Sequence, residues 1–282
     1  MTVGTCYVQA VDRLTKAGCD SPAFDAACLL EDLGGVPRGQ VSAQSDRPLT
    51  AAAERAVQAA LVRREEGYPL QYILGEWDFL DLTLKVGEGV LVPRPDTELL
   101  CETAAAWLAA RFPETSVRVL DLCAGSGCVG LGIASLHKAA APTFVEYSEA
   151  AFGYLTANIN RYAHFHGTAV KADVLTAPVP AAQYHALVSN PPYIPTADLA
   201  GLMREVQFEP TMALDGDADG LTFYRAIAAR WLAALLPGGI CAVEVGIGQA
   251  QDVANILREA GLLNVEIKTD LGGVDRVVVG HI

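Results

Sequence analysis

Val117-Arg118-Val119-Leu120-Asp121-Leu122-Cys123-Ala124-Gly125-Ser126-Gly127-Cys128-Val129-Gly130 is the stretch on which the fold turns. The β-branched, apolar run 117–120 predicts a strand, and the apolar residues from Cys128 to about Leu136 predict a helix. Between them, Gly125 and Gly127 permit a tight turn and a close approach of backbone to a ligand. The order strand, glycine turn, helix opens a nucleotide-type α/β unit. Gly125-x-Gly127-x-x-Gly130 fits the dinucleotide fingerprint, and Glu146 lies near the spacing at which an acidic residue grips a ribose. A nicotinamide enzyme is therefore one reading of this stretch taken alone.

Working outward, strand and helix patterns alternate. After a helix from Thr97 to about Arg111, capped by Asp96, and the strand at 117, the pattern gives strand 143–146, helix 148–161, strand 168–171 and strand 186–189. Helix 221–236, strand 240–245, helix 249–260 and strands 265–268 and 276–279 follow. Such alternation implies an α/β fold, a mostly parallel sheet with helices on both faces. The last two strands have only a short turn between them, so they should pair antiparallel. Towards the N-terminus the chain reads as helical. Ser21-Pro22 opens a helix ended by Gly34-Gly35, and Thr50 caps another that runs to Arg64. Arg63-Arg64, followed by Glu65-Glu66, reads as a solvated helix face. Alternation over 79–86, then Gly87-Glu88-Gly89 and Val90-Leu91-Val92, predicts a hairpin. The expected organisation is a helical domain over 1–74, a β-hairpin linker over 75–92 and a catalytic domain over 93–282.

Four successive strand ends then carry Asp121, Glu146, Asp173 and Asn190. Ligands of such sheets bind beyond the carboxyl ends of the strands. Carboxylates suit ribose hydroxyls, an adenine amino group and a cationic sulfonium, and they repel a pyrophosphate. This favours S-adenosylmethionine over NAD. The fourth strand end reads Asn190-Pro191-Pro192-Tyr193. A planar NH2 group is a poor nucleophile because its lone pair is delocalised, and acceptors on its two N–H bonds draw that pair out of conjugation. The Asn190 side-chain oxygen and the Pro191 carbonyl are the candidate acceptors, on a stiff strip that lacks proline N–H groups. Tyr193 is placed to stack on the planar group, so positioning supplies most of the catalysis. The chemistry that fits is methylation of a planar nitrogen.

At 282 residues and 51% hydrophobic, the chain is long enough for a sizeable core with a smaller module. No uncharged apolar stretch of about 18 residues or signal-type N-terminus occurs, which makes the cytoplasm the expected location, with no membrane partner. Seven cysteines without a C-x-x-C pair argue against a disulfide framework or a zinc site. His164-x-His166 and three scattered histidines supply no converging ligand set, so no metal is expected. Ser126 has no strained elbow or histidine partner to suggest a hydrolase. A net charge of −13 opposes a nucleic-acid partner, although amino methyltransferases of nucleic acid use the same Asn-Pro-Pro-Tyr turn and are the nearest chemical alternative. An acidic enzyme is better matched to a basic protein.

Asp121-x-x-x-Gly125-Ser126-Gly127, Glu146, Asp173 and Ser189-Asn190-Pro191-Pro192-Tyr193-Ile194 resemble, in order and spacing, the HemK/PrmC family of protein-(glutamine N5) methyltransferases. Val92-Pro93-Arg94-Pro95-Asp96-Thr97-Glu98 and Phe208-Glu209-Pro210-Thr211 extend the likeness over most of residues 65–282 and make it specific. The chain differs in having Cys123-Ala124 where Gly-Thr is commoner and Glu146-Tyr147 where an Asp is more usual. The resemblance implies a class I methyltransferase with a seven-stranded sheet, acting on the Gly-Gly-Gln glutamine of class 1 peptide chain release factors. It implies that Asn190, Pro191, Pro192 and Tyr193 bind the substrate, with Asn190, Pro191 and Tyr193 in the catalytic step. The cofactor would meet Asp121, Cys123, Ala124, Gly125, Ser126, Gly127, Glu146, Tyr147, Asp173, Val174 and Asn190. The helical module would help to dock the release factor, and the enzyme is expected to act as a monomer. Glu205 and Glu209 read equally well as receivers of basic side chains or as structural groups. Residues 195–218 read as a lid or as an ordered loop.

Overall fold

The computed structural model describes residues 1–113 and 116–282. Two compact units emerge, one of Met1–Gly75 with Met203–Phe208, the other of Glu76–Leu202 with Glu209–Ile282.

The smaller unit holds α1 (Val3–Lys16), α2 (Pro22–Gly34), α3 (Ala51–Glu65) and α4 (Leu70–Leu74). The hydroxyls of Thr2 and Thr50 accept from Thr5 N and Ala53 N, satisfying donors that a helix start leaves orphaned. Gly35, in the left-handed region, ends α2, whereas Ser21 makes no side-chain capping bond. Helices α1, α2 and α3 pack pairwise, burying Val3, Leu14, Leu29, Leu30 and Leu61 completely. Of the Arg63-Arg64 pair, Arg63 lies on the solvated face expected of it and Arg64 does not. Arg64 is buried, donating through Nε to Asp25 at 2.7 Å and through Nη2 to Glu205. Its partners lie 39 and 141 residues away, so local charge patterning gave no sign of them.

The larger unit begins with a hairpin of β1 (Glu76–Phe79) and β2 (Leu82–Lys85). The alternation over 79–86 is thus split by a turn at Leu80, which takes φ +52°. Val90–Val92 is not a strand. Phe79, Leu82 and Leu84 are buried in the core of this unit. A 3-10 turn, Pro95–Thr97, leads into α5 (Glu98–Arg111). Asp96 does not cap α5; its carboxylate pairs with Arg276 at 2.8 Å. Then follow β3 (Val117–Leu122), α6 (Cys128–Leu136), β4 (Ala140–Glu146), α7 (Glu149–Arg161), β5 (Thr168–Lys171) and β6 (Tyr184–Ser189). The unit ends with α8 (Thr211–Leu214), α9 (Thr222–Arg230), β7 (Leu235–Glu244), α10 (Ala250–Glu259), β8 (Leu263–Thr269) and β9 (Asp275–His281). The helix expected over 221–236 stops at Arg230 and tightens into a 3-10 turn, and β7 starts earlier than the pattern suggested.

The seven-stranded sheet has the order β5-β4-β3-β6-β7-β9-β8. Its first five strands are parallel, and β9 runs antiparallel between β7 and β8, as the short final turn required. Both faces are covered, which explains the near-continuous apolar runs of the central strands. In β3, Val117 and Val119 enter the core shared with α5 and α6, and Leu120 and Leu122 enter the core shared with α9 and α10. Because the chain turns one way after β3 to β4 and the other way to β6, the carboxyl ends of these strands open a crevice.

Candidate active site

The glycine loop leaves β3 through two left-handed residues, Cys123 at φ +57° and Gly125 at φ +55°, with Gly127 at φ +83° opening α6. Left-handed geometry disfavours a Cβ, and Cys123 carries one at the point where the loop departs from the sheet. Three polar side chains hold this loop. Asp121, buried beneath it, accepts from Gly130 N at 2.8 Å through Oδ2, while Oδ1 has no partner among the described residues. Burial pushes Asp121 up to about 8, against the pull of the Gly130 N–H. Asn158, fully buried in α7, donates to Ser126 O at 2.9 Å and to Lys85 O at 3.1 Å, joining the loop to the hairpin. Glu146, at the end of β4, accepts from Gly125 N at 2.8 Å and from Ser148 N at 2.6 Å, one bond on each oxygen. A carboxylate offers about four lone-pair directions, so each oxygen keeps capacity for a ligand hydroxyl.

These elements enclose a cavity of about 390 Å³. Of the residues expected around a cofactor, Cys123, Ala124, Gly125, Ser126, Glu146, Tyr147, Asp173, Val174 and Asn190 line it. Asp121 and Gly127 do not: Asp121 is spent on Gly130 under the loop, and Gly127 faces Leu155. Asp173 accepts from Leu175 N at 2.8 Å and from the Thr176 hydroxyl at 3.1 Å, closing the turn after β5. Burial raises the thiols of Cys123 and Cys128, the latter to about 12, so both stay neutral at ordinary pH.

Sequence reasoning missed the strap Gly89–Arg94, which lines the same cavity together with Pro210, Met212, Ala213, Asp215 and Phe223. The strap is tied down by Glu209, which accepts from Val92 N at 3.0 Å and from the Arg94 guanidinium. Glu209 is therefore a structural anchor, and Glu205 is the partner of Arg64. The signal for the strap lay in Val92–Glu98 and Phe208–Thr211, which stand out as motifs but carry no recognisable chemistry of their own.

Asn190 follows β6 at the cavity wall, where its amide nitrogen donates to the Thr97 hydroxyl at 3.2 Å. Pro192 also lines the cavity, and Pro191 and Tyr193, its chain neighbours, are not among the lining residues. The turn is gripped by backbone. Ile194 N donates to Leu214 O at 2.9 Å, Gly216 N to Ile194 O at 2.8 Å, and the Gln249 amide to Tyr193 O at 2.9 Å. Glycines pass so closely that a Cβ at Gly216 would sit 2.7 Å from Tyr193 Cα, and one at Gly246 would sit 2.9 Å from the Tyr193 ring. Tyr193 is pushed up to about 12, first by burial and then by Glu244.

The charged groups on the cavity wall are Glu146, Asp173, Asp215 and Arg94, and Arg94 is already paired with Glu209. Such a wall favours a cation with ribose hydroxyls and disfavours a pyrophosphate. Among the described residues no group of three or more His, Cys, Asp or Glu is arranged to hold a metal. No helix among the described residues is long and apolar enough to cross a membrane.

Comparison with known proteins bears on the family and the fold. The family described as PrmC N-terminal domain matches residues 6–75, and the methyltransferase small domain matches residues 100–204. A release factor glutamine methyltransferase of Rhodospirillum rubrum is 40% identical over 282 residues, covering all of this chain and 85% of that protein. The solved release factor-specific protein-(glutamine-N5) methyltransferase of Alicyclobacillus acidocaldarius is 34% identical, covering 70% of this chain and 97% of that one, with a TM-score of 0.42. A Pyrococcus furiosus methyltransferase shares the fold at 17% identity, covering 72% of this chain and 90% of that one, with a TM-score of 0.52. A mostly parallel sheet whose strand order switches direction at β3, a glycine loop pinned by Glu146 and 40% identity over the whole of this chain lead to one assignment: the chain belongs to the release factor glutamine methyltransferase family, enzymes of the class I S-adenosylmethionine-dependent fold.

Proposed function

We propose that this chain transfers the methyl group of S-adenosylmethionine to the side-chain amide nitrogen of the glutamine in the Gly-Gly-Gln loop of class 1 peptide chain release factors, and so modulates translation termination. The observation that carries the reading is Asn190 on the cavity wall, with its amide nitrogen committed to Thr97 and its carbonyl oxygen left as the acceptor. S-adenosylmethionine supplies an electrophilic methyl on a sulfonium centre. Glu146 holds the ribose hydroxyls with its remaining lone pairs, and Asp173 with Val174 receives the adenine. The backbone from Cys123 to Ser126 approaches the methionine portion. Asn190 and the Pro191 carbonyl each take one N–H of the glutamine amide, which draws the nitrogen lone pair out of conjugation and aims it at the methyl. Tyr193 backs the turn and keeps it rigid. The methylated amide cation is acidic enough to lose its proton without a strong base. We further propose that the enzyme works as a monomer in the cytoplasm, needs no metal, releases S-adenosylhomocysteine and makes no direct use of nucleic acid. Residues 1–74 serve to dock the protein substrate.

Incubating the enzyme with methyl-labelled S-adenosylmethionine and, separately, purified release factor, DNA and tRNA tests this. Label on the release factor, placed by mass spectrometry on the Gly-Gly-Gln glutamine, is the expected result. Label on nucleic acid or on another residue overturns it.

A further inference from the structure

Strand register brings three polar side chains of the larger unit together. Leu122 of β3 pairs with Ser189 of β6, and Ser189 pairs with Val243 of β7, so the next residues, Asn190 and Glu244, emerge side by side. Thr97, at the start of α5, is 1% exposed and lines the cavity beside Asn190. Glu244 is buried at 2% exposure and does not line the cavity, and its Oε2 has no partner among the described residues. The Thr97 hydroxyl and the Asn190 amide both bear on its carboxyl group and oppose the rise that burial causes.

The direction of these bonds follows from what each group is able to do. A carboxylate accepts and cannot donate. The Thr97 hydroxyl has one hydrogen, and with Asn190 donating to its oxygen the carboxylate of Glu244 is the acceptor on hand for that hydrogen. The Thr97 oxygen is then available only as an acceptor, and the group it faces, Asn190, must present its NH2 end. Which end of an asparagine amide points which way is set by such networks. With Nδ2 held on the Thr97 and Glu244 side, Oδ1 is left for the substrate. If Glu244 is protonated or replaced by a group that donates, the chain can run backwards: Thr97 accepts from position 244 and donates to Oδ1, and Asn190 then offers the substrate a donor. A donor cannot accept the N–H of a glutamine amide.

We infer that Thr97 and Glu244 are positioning residues that fix the Asn190 amide in the orientation whose oxygen accepts from the substrate nitrogen. This rests on the reading of Asn190 as the amide acceptor. Burial pushes Glu244 up to about 7, opposed by the Thr97 hydroxyl, Arg276 and the Asn190 amide, with Asp96 raising it further. Tyr193, Tyr224, Cys101 and Cys128 are the other titratable groups that sense it. Arg276 is itself held by Asp96 and Asp270, so it does not cancel the Glu244 charge alone.

The test compares Thr97→Val, Thr97→Ser, Glu244→Gln and Asn190→Ala for kcat on intact release factor, for S-adenosylmethionine affinity by calorimetry, and for the pH profile of kcat between pH 5.5 and 9. Misorienting the acceptor should lower kcat of Thr97→Val and Glu244→Gln by roughly 10- to 100-fold, with cofactor affinity within about threefold of wild type. Thr97→Ser should recover most of the Thr97→Val loss, because it restores the hydroxyl. In the wild type kcat should fall below about pH 7, and that fall should be absent from Glu244→Gln. If Glu244→Gln does not fold, the Val and Ser variants of Thr97 decide the matter. Wild-type kcat in Thr97→Val alongside a collapsed Asn190→Ala overturns the orienting relay and leaves Asn190 as the acceptor. Retained kcat in Asn190→Ala overturns both.

Discussion

Replacing Glu146 by alanine removes the acceptor of two backbone N–H groups at once, Gly125 at 2.8 Å and Ser148 at 2.6 Å. Each is a hydrogen bond to a charged group, of a kind that contributes about 1.5–3 kcal/mol. Water entering the cavity replaces part of this for both donors, so we take the net loss as about one bond rather than two. If the loop must be reordered before the cofactor binds, about 1.5–3 kcal/mol translates into roughly 10- to 150-fold weaker S-adenosylmethionine affinity. Glu146→Gln keeps one accepting oxygen but turns an NH2 towards one of the two donors, so it should fall between wild type and alanine. Calorimetric titration measures the affinities, and amide hydrogen exchange at Gly125 in the free enzyme reports whether the loop has loosened. At saturating cofactor, kcat on the release factor should stay within a few-fold of wild type. Unchanged affinity with a collapsed kcat would refute the reasoning, because it would put Glu146 in the methyl-transfer step and not in cofactor holding.

Gly246→Ala places a Cβ 2.9 Å from the Tyr193 ring and 2.6 Å from Gln249 Oε1, so kcat should fall about tenfold or more while cofactor affinity holds, as read by steady-state kinetics and calorimetry. Gly130→Ala meets Phe144 Cε1 at 2.4 Å, and urea denaturation should show about 1–3 kcal/mol of lost stability. Arg64→Ala strands Asp25 in the smaller unit and should lower stability by about 3–5 kcal/mol, discounted where the third-exposed Glu205 regains water. The folded-state values of Asp121, about 8, and Glu244, about 7, are raised, so the native state holds protons that the unfolded chain has lost. Stability should therefore decline as pH rises from about 4 to about 8, by at most ~1.4 kcal/mol per pH unit for each group. Denaturation midpoints of wild type and Asp121→Asn across that window would show whether the slope lessens in the variant.

The sequence was legible where chemistry and periodicity coincide. The glycine loop, the parallel strands and the final antiparallel pair each follow from a local pattern, and the chain folds accordingly. It was opaque where a residue's partner comes from far away. Asp96 carries a capping signature, yet Arg276, 180 positions later, takes its carboxylate. Arg64 looks like part of a solvated charge run, yet Asp25 and Glu205 draw it inside. The turn at Leu80 escaped notice for a different reason, since a left-handed leucine lacks the glycine or asparagine that marks such turns. At the cavity, three acids at successive strand ends invited one shared role and have three. Asp121 lies within β3 and points under the loop, Glu146 stands at the edge and bridges loop to helix, and Asp173 closes a turn.

The difference among those acids is a matter of register, and so is the reactive corner. Side chains alternate along a strand, so an offset of one residue exchanges the covered face for the other. Asp121 stops two residues short of the loop and stays on the α6 side. Asn190 and Glu244 each lie one step past the paired Ser189 and Val243, which sets them abreast at the rim. A polar cluster made this way needs no motif of its own, because alignment of β6 with β7 brings two of its members abreast and a threonine from the turn before α5 completes it. On the proposed role of Asn190, catalytic geometry then depends on the same backbone pairing that stabilises the sheet. Substitutions that slip β7 against β6 should disable methyl transfer before they unfold the protein.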